Sequence, residues 1–380
     1  MTYLSLVLFV LATVGVLCLA IQTGFLWRFL AAKVRVPTQP LPPISILKPL
    51  SGCDDGLLAN LESFAALDHP DYEVLLGVHT IDDPAVSVAQ KLIDKHPQRF
   101  RLVVQDGSPG LNPKVNQLIT LAKEARHDVL LVSDASVRVG NGYLPEIAAC
   151  LEDPDIGLVT HIFAAEGEQS LGSLLDNFHL MSHYGGGAIA ARDAGGQTLV
   201  NGKSTAFRRA DLDAMGGFAA VCDYAAEDFV LGLWVGRKIK KKVCFARYTP
   251  ITLSVNRTLG EYIRRYQRWS IMQRTGGGYL VYLSQTMVYP LILASLGLLF
   301  QPSLRGLFWW LGIGFVKAVL DYIQASMLRY KRISPLLMLL GPINDLLVAW
   351  IWTYGLLWNR TVWRGTQLKV TWGTKLVPLS

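Results

Sequence analysis

The stretch Thr2–Trp27 contains no charged residue and is long enough to cross a bilayer, which takes roughly 20 apolar residues. A cleaved signal peptide begins with a basic segment, whereas the basic residues here follow the stretch, beginning with Arg28 and Lys33. Positive flanks favour the cytoplasmic side of a span. We therefore expect residues 1–30 to form an uncleaved transmembrane anchor, with the following chain in the cytoplasm (at the inner, or cell, membrane if the source is bacterial).

The composition also indicates a membrane protein. Hydrophobic residues make up 51% of the chain and charged residues 17%, whereas soluble domains carry about 25% charged residues. The net charge of +7 suits positive-inside topology and contact with anionic lipid. No basic patch interleaves with aromatic residues, so we expect no nucleic-acid partner. Five cysteines without a C-x-x-C pair argue against a disulfide framework or a zinc site.

A second apolar region, residues 276–358, is expected to hold about three spans: Gly276–Phe300, Gly306–Met327 and Leu336–Trp358. Strict alternation of these spans places the tail, residues 359–380, outside. The basic character of the tail favours the inside, and a re-entrant turn near Gly341 would reconcile the two. The basic residues of the tail are Arg360, Arg364, Lys369 and Lys375.

Three charged residues interrupt these apolar spans. Lys317 and Asp321 are four residues apart on one predicted helix, so they can pair, and Asp345 interrupts the next span. Isolated charges in a bilayer are costly and usually face the interior of a helix bundle. We predict that the three side chains face each other. We favour a structural role, in which these side chains hold the spans together, over a role in which they line a path for a lipid headgroup.

The segment between the apolar regions alternates short apolar runs with amphipathic runs, a pattern typical of an α/β domain with a largely parallel sheet. We expect residues 31–256 to form this cytoplasmic domain. The predicted strands are Ile44–Leu47, Glu73–His79, Arg101–Val104, Asp128–Ser133, Gly157–Thr160 and Ser204–Arg208. The predicted helices are Leu57–Leu67, Ala85–Lys95, Asn112–Glu124 and Glu227–Gly236.

A further helical face runs from Gly172 to Tyr184 and includes His179 and His183. It is too short and too polar to span a membrane. It can lie at the membrane surface or pack on the sheet, and the pattern does not choose between these.

Carboxylates follow two of the predicted strands. Ligands of open α/β sheets bind beyond the carboxyl ends of the strands, and Asp82-Asp83 and Asp134 stand just past such ends. Asp134 could hold a divalent cation that bridges a diphosphate, because Mg²⁺ takes one or two carboxylates together with phosphate oxygens. Taken singly, each acid is more typical of a turn.

Two more candidate sites lie where helices begin. Glu227 and Asp228 open one predicted helix, where acids often serve only as caps, but a carboxylate there could also act as a general base. Lys114 and Asn116 belong to the segment Asn112–Asn116. This segment opens another helix and could bind an anion, although an ordinary N-cap is the better explanation of the segment taken alone.

A basic helix, residues 257–275, precedes the second apolar region. Arg265, Arg268 and Trp269 share one face of it at spacings of three and four residues. Two guanidinium groups there could neutralise a leaving diphosphate, and a tryptophan beside them could stack on a sugar. The same pattern is typical of an interfacial helix at the headgroup level, and the two interpretations are compatible.

Together and in this order, these features resemble the ceramide glucosyltransferases, within the membrane-bound glycosyltransferases of the GT-A fold. The resemblance covers nearly the whole chain. It implies a GT-A-like (Rossmann-like) α/β domain with a mixed, largely parallel sheet plus transmembrane helices, a UDP-glucose donor, a ceramide acceptor and inversion to a β-glycoside. Its marks are Leu47–Leu50, Asp82–Ala85, Asn112–Asn116, Asp134–Val139, Ala226–Phe229, Arg265–Trp269, Asp321–Gln324 and Trp363–Gly365.

Matched residue by residue, the resemblance implies that Asp228 is the general base, that Asp83 lies near the uridine and that Asp134 lies near the diphosphate and its Mg²⁺ or Mn²⁺. One departure concerns the metal: Ser136 stands where a second acid would be expected, which leaves the cation fewer protein ligands. The candidate donor-binding residues are Asp83, Lys114, Asn116, Asp134, Arg265 and Arg268, and the candidate acceptor-binding residues are Glu227 and Trp269.

The expected partners are a UDP-sugar donor, a membrane lipid acceptor and the bilayer. A related bacterial branch, which transfers N-acetylglucosamine from UDP-GlcNAc to hopanoids, shares most of the same marks and is the alternative. A processive polysaccharide synthase would want a larger membrane pore than these few spans provide. An inactive membrane scaffold would have no need to retain the acids and the Arg-x-x-Arg-Trp segment.

Overall fold

The computed structural model describes residues 2–53, 56–196, 199–363 and 365–379. The strands are β1 Ile44–Pro49, β2 Tyr72–Val78, β3 Phe100–Val104, β4 Val129–Ser133, β5 Val137–Arg138, β6 Ile156–His161, β7 Ala164–Glu166, β8 Ser204–Arg208, β9 Lys242–Ala246, β10 Ile251–Leu253, β11 Arg360–Trp363, β12 Thr366–Val370 and β13 Leu376–Pro378. The α-helices are α1 Tyr3–Ala31, α2 Leu57–Ala65, α3 Ala85–Lys95, α4 Pro113–Glu124, α5 Tyr143–Leu151, α6 Leu171–His179, α7 Gly185–Gly195, α8 Arg209–Ala214, α9 Glu227–Arg237, α10 Leu259–Ser284, α11 Pro290–Phe300, α12 Leu304–Leu328 and α13 Leu340–Leu357.

The central sheet has the strand order β3-β2-β1-β4-β8-β6-β9. Its pairs are parallel except at β8, which runs antiparallel to both β4 and β6. The strands β1, β2 and β4 are buried along their whole length, as expected where helices cover both faces of a sheet. The predicted mixed, largely parallel α/β domain is confirmed.

The direction of β8 decides where the loop before it lies. Ser204, at the start of β8, pairs with Ser133, at the end of β4. The loop 201–203 therefore reaches the same sheet edge as the carboxyl ends of β1 and β4. A second, smaller sheet with the order β5-β10-β7 flanks this edge.

All the predicted strands and helices of this domain are present, with ends shifted by at most a few residues. The prediction omitted α5, α7, α8, β5, β7, β9 and β10. The segment of α5 is buried almost throughout, so it has no polar face to mark it as an amphipathic helix. The strand β9 follows directly on a run of lysines, which obscured its apolar half.

The predicted amphipathic segment Gly172–Tyr184 forms α6 and one turn of π-helix. Its residues Leu175, Phe178 and Met181 are buried, and it contacts β7, α10, α12 and α13. It therefore packs inside the protein, between the smaller sheet and the apolar helices, and does not lie exposed on a membrane surface.

Three helical segments of the described chain are long and apolar enough to cross a membrane: α1, α12 and residues 335–357. The predicted span Gly276–Phe300 is not one straight helix. It is divided between the end of α10 and α11, whose axes meet at 82°, and the bent pair would make a fourth span if counted as one. Pro290 begins α11, and a proline there supplies no N–H with which a continuous helix could bond to the preceding turn.

The predicted meeting of charges between the apolar helices is confirmed. Lys317 forms ion pairs with Asp321 and with Asp345, the latter at 2.9 Å, and all three side chains are fully buried. Gly341 lets α13 approach α12, because a Cβ there would lie 2.8 Å from a carboxylate oxygen of Asp321. The three groups thus join α12 to α13.

The tail forms a three-stranded antiparallel sheet, β11-β12-β13. Two backbone hydrogen bonds fix it to the α/β domain: Leu376 N–H to Asp223 C=O at 2.7 Å and Ala225 N–H to Thr374 C=O at 2.8 Å. The tail therefore lies on the same side as the α/β domain, against strict alternation and in line with its basic residues. Arg364 lies outside the described residues.

Candidate active site

A cavity of about 640 Å³ opens at the carboxyl edge of the central sheet. Its walls come from the ends of β1 and β4, the loop before β8, the starts of α4 and α9, the strand β10 and one face of α10. Seven of the predicted site residues line it: Lys114, Asp134, Glu227, Asp228, Arg265, Arg268 and Trp269.

One half of the cavity is acidic and is organised around Lys114. Its ammonium lies 2.9 Å from Asp134 Oδ1 and 3.0 Å from Glu227 Oε1, and it donates to the Gly202 carbonyl at 2.9 Å. Burial would raise the pKa of Asp134, but Lys114 and Lys203 outweigh it and the pKa is lowered. Asp134 is therefore ionised at neutral pH.

The local sequence explains the position of Lys114. Asn112 caps α4, and its Oδ1 accepts hydrogen bonds from the backbone N–H groups of Lys114 and Val115. Pro113 occupies the first helical position, where its missing N–H costs nothing. Asn112 Nδ2 also donates to the Glu227 carboxylate at 3.2 Å. One cap thus ties the starts of α4 and α9 together.

Asp228 stands in the first turn of α9. Its Oδ2 accepts from Gly202 N–H at 2.6 Å and its Oδ1 from Phe229 N–H at 2.8 Å. Burial, followed by the charge of Glu227, raises the pKa of Asp228 to about 6. A carboxylate has about four acceptor positions, so Asp228 can still take a proton from a ligand hydroxyl, and its raised pKa suits a general base near neutral pH.

Gly202 offers a direct test of this arrangement. A Cβ at this position would lie 2.7 Å from Asp228 Oδ2 and 3.0 Å from its Cβ and Cγ. The substitution Gly202→Ala should therefore displace the carboxylate and lower kcat by roughly 10²-fold, as misplacement of a reacting group by about 1 Å can do. Steady-state kinetics check this, with Gly187→Ala, where a Cβ meets nothing within 4 Å, as the matched control.

The other half of the cavity is basic. Arg265 and Arg268 project from α10 together with Trp269, and the Arg265 guanidinium lies over the Trp269 ring, 4.7 Å from its centre. Arg257 and Lys203 complete the cationic group. Cations so arranged can hold a diphosphate, beside the acids of the other half.

The sequence analysis missed two important residues of this half. Lys203 Nζ donates to Thr252 Oγ1 at 2.8 Å and to Ser136 Oγ at 3.1 Å. Asp176 on α6 pairs with Arg257 at 3.2 Å and Arg265 at 3.6 Å and accepts from the Tyr266 hydroxyl at 3.0 Å. Neither residue follows a predicted parallel strand, and no local signal pointed to Lys203. The signal that could have pointed to Asp176 is that it is a lone acid on the apolar face of α6.

Among the described residues, the hydrogen-bond partners of Lys203 Nζ are the hydroxyl groups of Ser136 and Thr252. Burial, followed by the charge of Arg265, lowers its pKa to about 8. Because hydroxyl groups do not neutralise the ammonium, its charge remains available to an anion in the cavity.

Asp83 and Asn116 are not among the cavity-lining residues. Asp83 Oδ1 accepts from the N–H groups of Gly52 and Ala85 at 2.9 Å, so it holds the turn after β1. Asn116 exchanges two hydrogen bonds with the backbone of Gly110, at 2.8 and 3.0 Å. Their predicted contacts with the donor stay predictions.

No group of three or more histidine, cysteine, aspartate or glutamate side chains within the described ranges could hold a metal ion. Asp134 could therefore bind a metal ion only as its single protein ligand. Its Oδ1 faces Lys114, its side chain is 30% exposed, and its second oxygen can face the cavity. This suits a hard cation whose other ligands are phosphate oxygens and water.

The model of glycosyl transferase family 21 matches residues 7–376. Ceramide glucosyltransferase 1 of Caenorhabditis elegans is 24% identical, over 96% of this chain and 79% of its own length. The ceramide glucosyltransferase of Komagataella phaffii is 28% identical, over 46% of this chain and 40% of its own length.

Among solved structures, the mannosyltransferase of Pyrobaculum calidifontis, in complex with GDP-Man and Mn²⁺, aligns with a TM-score of 0.51. It has 16% sequence identity and covers 93% of this chain and 96% of its own. At this identity the likeness concerns the fold alone, and it confirms the GT-A-like architecture.

Proposed function

This chain belongs to glycosyl transferase family 21, and on that premise we propose that it transfers glucose from UDP-glucose to the hydroxyl of a membrane lipid, a ceramide, with inversion. It is a glycosyltransferase with a GT-A-like fold and apolar helices typical of a membrane protein. The observation that carries the proposal is one cavity with a basic half and an acidic half, bordered by α10, the helix that leads into the apolar region.

In this proposal the basic half binds the donor diphosphate. Lys203, Arg265 and Arg268 balance its charge, and Asp176 orients Arg265 through their ion pair. When the bond from the anomeric carbon to the phosphate oxygen breaks, the electron pair leaves with UDP, so negative charge grows where these cations lie. Fixed charges that meet a developing charge lower the barrier most.

The acidic half activates the acceptor. Asp228 takes the proton of the lipid hydroxyl as its oxygen attacks the anomeric carbon from the side opposite UDP, which inverts the configuration. The proton ends on the Asp228 carboxylate. Lys114 keeps Asp134 ionised and holds both Asp134 and Glu227 in place through ion pairs, and Trp269 lies where it can contact the sugar or the acceptor.

A divalent cation, Mg²⁺ or Mn²⁺, held by Asp134 would add positive charge at the donor diphosphate. We expect excess EDTA to abolish transfer and added Mn²⁺ or Mg²⁺ to restore it, because Asp134 supplies a carboxylate oxygen and the donor the phosphate oxygens. In Asp134→Asn the response to added metal should weaken. Full activity in excess EDTA would reject the metal role.

The basic residues that follow α1 support a cytoplasmic α/β domain, where UDP-sugars are available. The tail shares this side. Tagging the two termini and testing their accessibility to protease in sealed vesicles checks the orientation.

The activity is tested with the purified full chain in lipid nanodiscs. UDP-glucose and UDP-GlcNAc are each offered with ceramide, diacylglycerol and a hopanoid, and products are identified by mass spectrometry, with the anomeric configuration determined by NMR. A β-glucosylceramide supports the proposal. Preference for UDP-GlcNAc and hopanoid would replace it, a long polymer would indicate a processive synthase, and neither transfer nor donor hydrolysis would indicate a scaffold.

A further inference from the structure

The C-terminal tail contributes a side chain to the cavity. Trp363, the last residue of β11, lines the cavity far along the chain from its other lining residues. The Arg268 guanidinium lies over its ring, 5.5 Å from the centre. Trp363 also packs with Met272 against the cluster of Ala225, Ile271, Leu368, Val370 and Leu376. The indole therefore stands where the basic half meets apolar lining.

The tail sheet is firmly joined to the start of α9. Ala225, which binds Thr374 through its N–H, comes two residues before Glu227. Thr374 is fully buried and has a φ of 67°, a conformation that a β-branched residue adopts only where its surroundings enforce it. A Cβ at Gly276 would lie 3.0 Å from the Phe229 ring and 3.2 Å from the Thr374 methyl. The tail is thus packed against α10 at Gly276, the position that Phe229, next to Asp228, also approaches.

The outer side of the tail has the composition of a membrane interface. Trp358, Val362 and Trp372 are 50%, 61% and 74% exposed, and the basic side chains of Arg360 and Lys369 are exposed beside them. Aromatic and basic residues together are typical of the headgroup level. The sheet therefore connects a surface suited to lipid with the wall of the cavity.

We propose that Trp363 forms part of the acceptor subsite, where its indole contacts the lipid next to the hydroxyl that is glycosylated. This inference rests on the proposed function. The acceptor is the fitting occupant because Trp363 meets the basic half through Arg268 on one side and adjoins Met272 and the apolar cluster on the other, from which the tail continues to its exposed apolar side.

The test compares Trp363→Ala and Trp363→Phe with the wild type, using a short-chain ceramide in detergent. We expect Trp363→Ala to raise the acceptor KM about tenfold or more, as loss of a central aromatic contact does. Donor KM and donor hydrolysis without lipid should stay within about twofold. Trp363→Phe should restore most of the acceptor KM. Trp372→Ala removes the same side chain from an exposed position of the tail and should leave the acceptor KM unchanged.

Three outcomes would overturn the inference: an unchanged acceptor KM in Trp363→Ala, a rise confined to the donor KM, or an equal rise in Trp372→Ala, which would indicate general membrane docking. If Trp363→Ala fails to fold in a thermal melt, Trp363→Phe and crosslinking of a photoactivatable ceramide to β11 in the wild type decide instead. Crosslinking needs no turnover. If the wild type crosslinks but transfers no sugar, the proposed function is overturned and the acceptor subsite stands. If the wild type is active but gives no crosslinks to β11, the acceptor subsite is overturned and the proposed function stands.

Discussion

Replacement of Asp228 by asparagine should lower kcat by about 10²–10⁴-fold, the usual loss when a general base is removed. Asparagine keeps one of the two acceptors that Asp228 offers to the N–H groups of Gly202 and Phe229, so the fold and donor binding should persist. Radiolabelled transfer assays measure kcat, and UDP-glucose binding is measured by calorimetry. Asp213→Asn, an exposed acid on α8, is the matched control.

The pH profile gives a second measurement of the same residue. A general base works in its ionised form, and the pKa of Asp228 is raised to about 6 by burial and by Glu227. Wild-type kcat should therefore fall as the pH drops through about 6 and level off above it. Near-normal turnover in Asp228→Asn, or an acid limb near the pKa of an ordinary carboxyl, would sink the assignment.

Replacement of Lys114 by methionine should have the second large effect. Methionine fills a similar space but leaves Asp134 and Glu227 without the ammonium that lies 2.9 and 3.0 Å from them. Removing one partner of a largely buried ion pair costs about 3–5 kcal/mol. If roughly 3 kcal/mol of this falls on the transition state, kcat/KM drops by about 10²-fold.

Lys114 also lowers the pKa of Asp228, so its loss should move the acid limb of the profile upward from about 6. A role confined to folding would change the yield and the melting temperature without moving this limb. Lys123→Met, an exposed lysine at the other end of α4, controls for the loss of a charge. An unmoved acid limb in active Lys114→Met protein would contradict the electrostatic role.

The elements of the α/β domain could be predicted because each carries its own signal. The strands β1, β2 and β4 are short runs of mostly apolar residues, and α4 begins with a cap, Asn112-Pro113, that is readable by itself. Acids just past the ends of two of these strands predicted a ligand site at this edge of the sheet, and Asp134 lines the cavity there. Arg265, Arg268 and Trp269 lie on one face because helix geometry alone decides it.

Asp83 and Asn116 carry the same local signals, but they do not line the cavity. Both stand at element ends, as a ligand-binding residue would, yet their hydrogen bonds go to the backbone of Gly52, Ala85 and Gly110. Whether a polar side chain faces a cavity or a neighbouring turn depends on the path of other loops. Spacing along the chain does not contain that information.

Periodicity and charge act within each element, so they were enough to predict the order of anchor, α/β domain, basic helix and apolar region. They also pointed to most of the side chains that meet in the cavity. Three features became visible only in the folded chain. The strand β8 runs antiparallel and brings Gly202 and Lys203 to the site, and α10 and α11 meet at 82°. The tail returns to the α/β domain and places Trp363 in the cavity wall. These outcomes depend on pairing between residues far apart in the chain, whose free energy comes from shared burial and from backbone hydrogen bonds that no single segment can form alone.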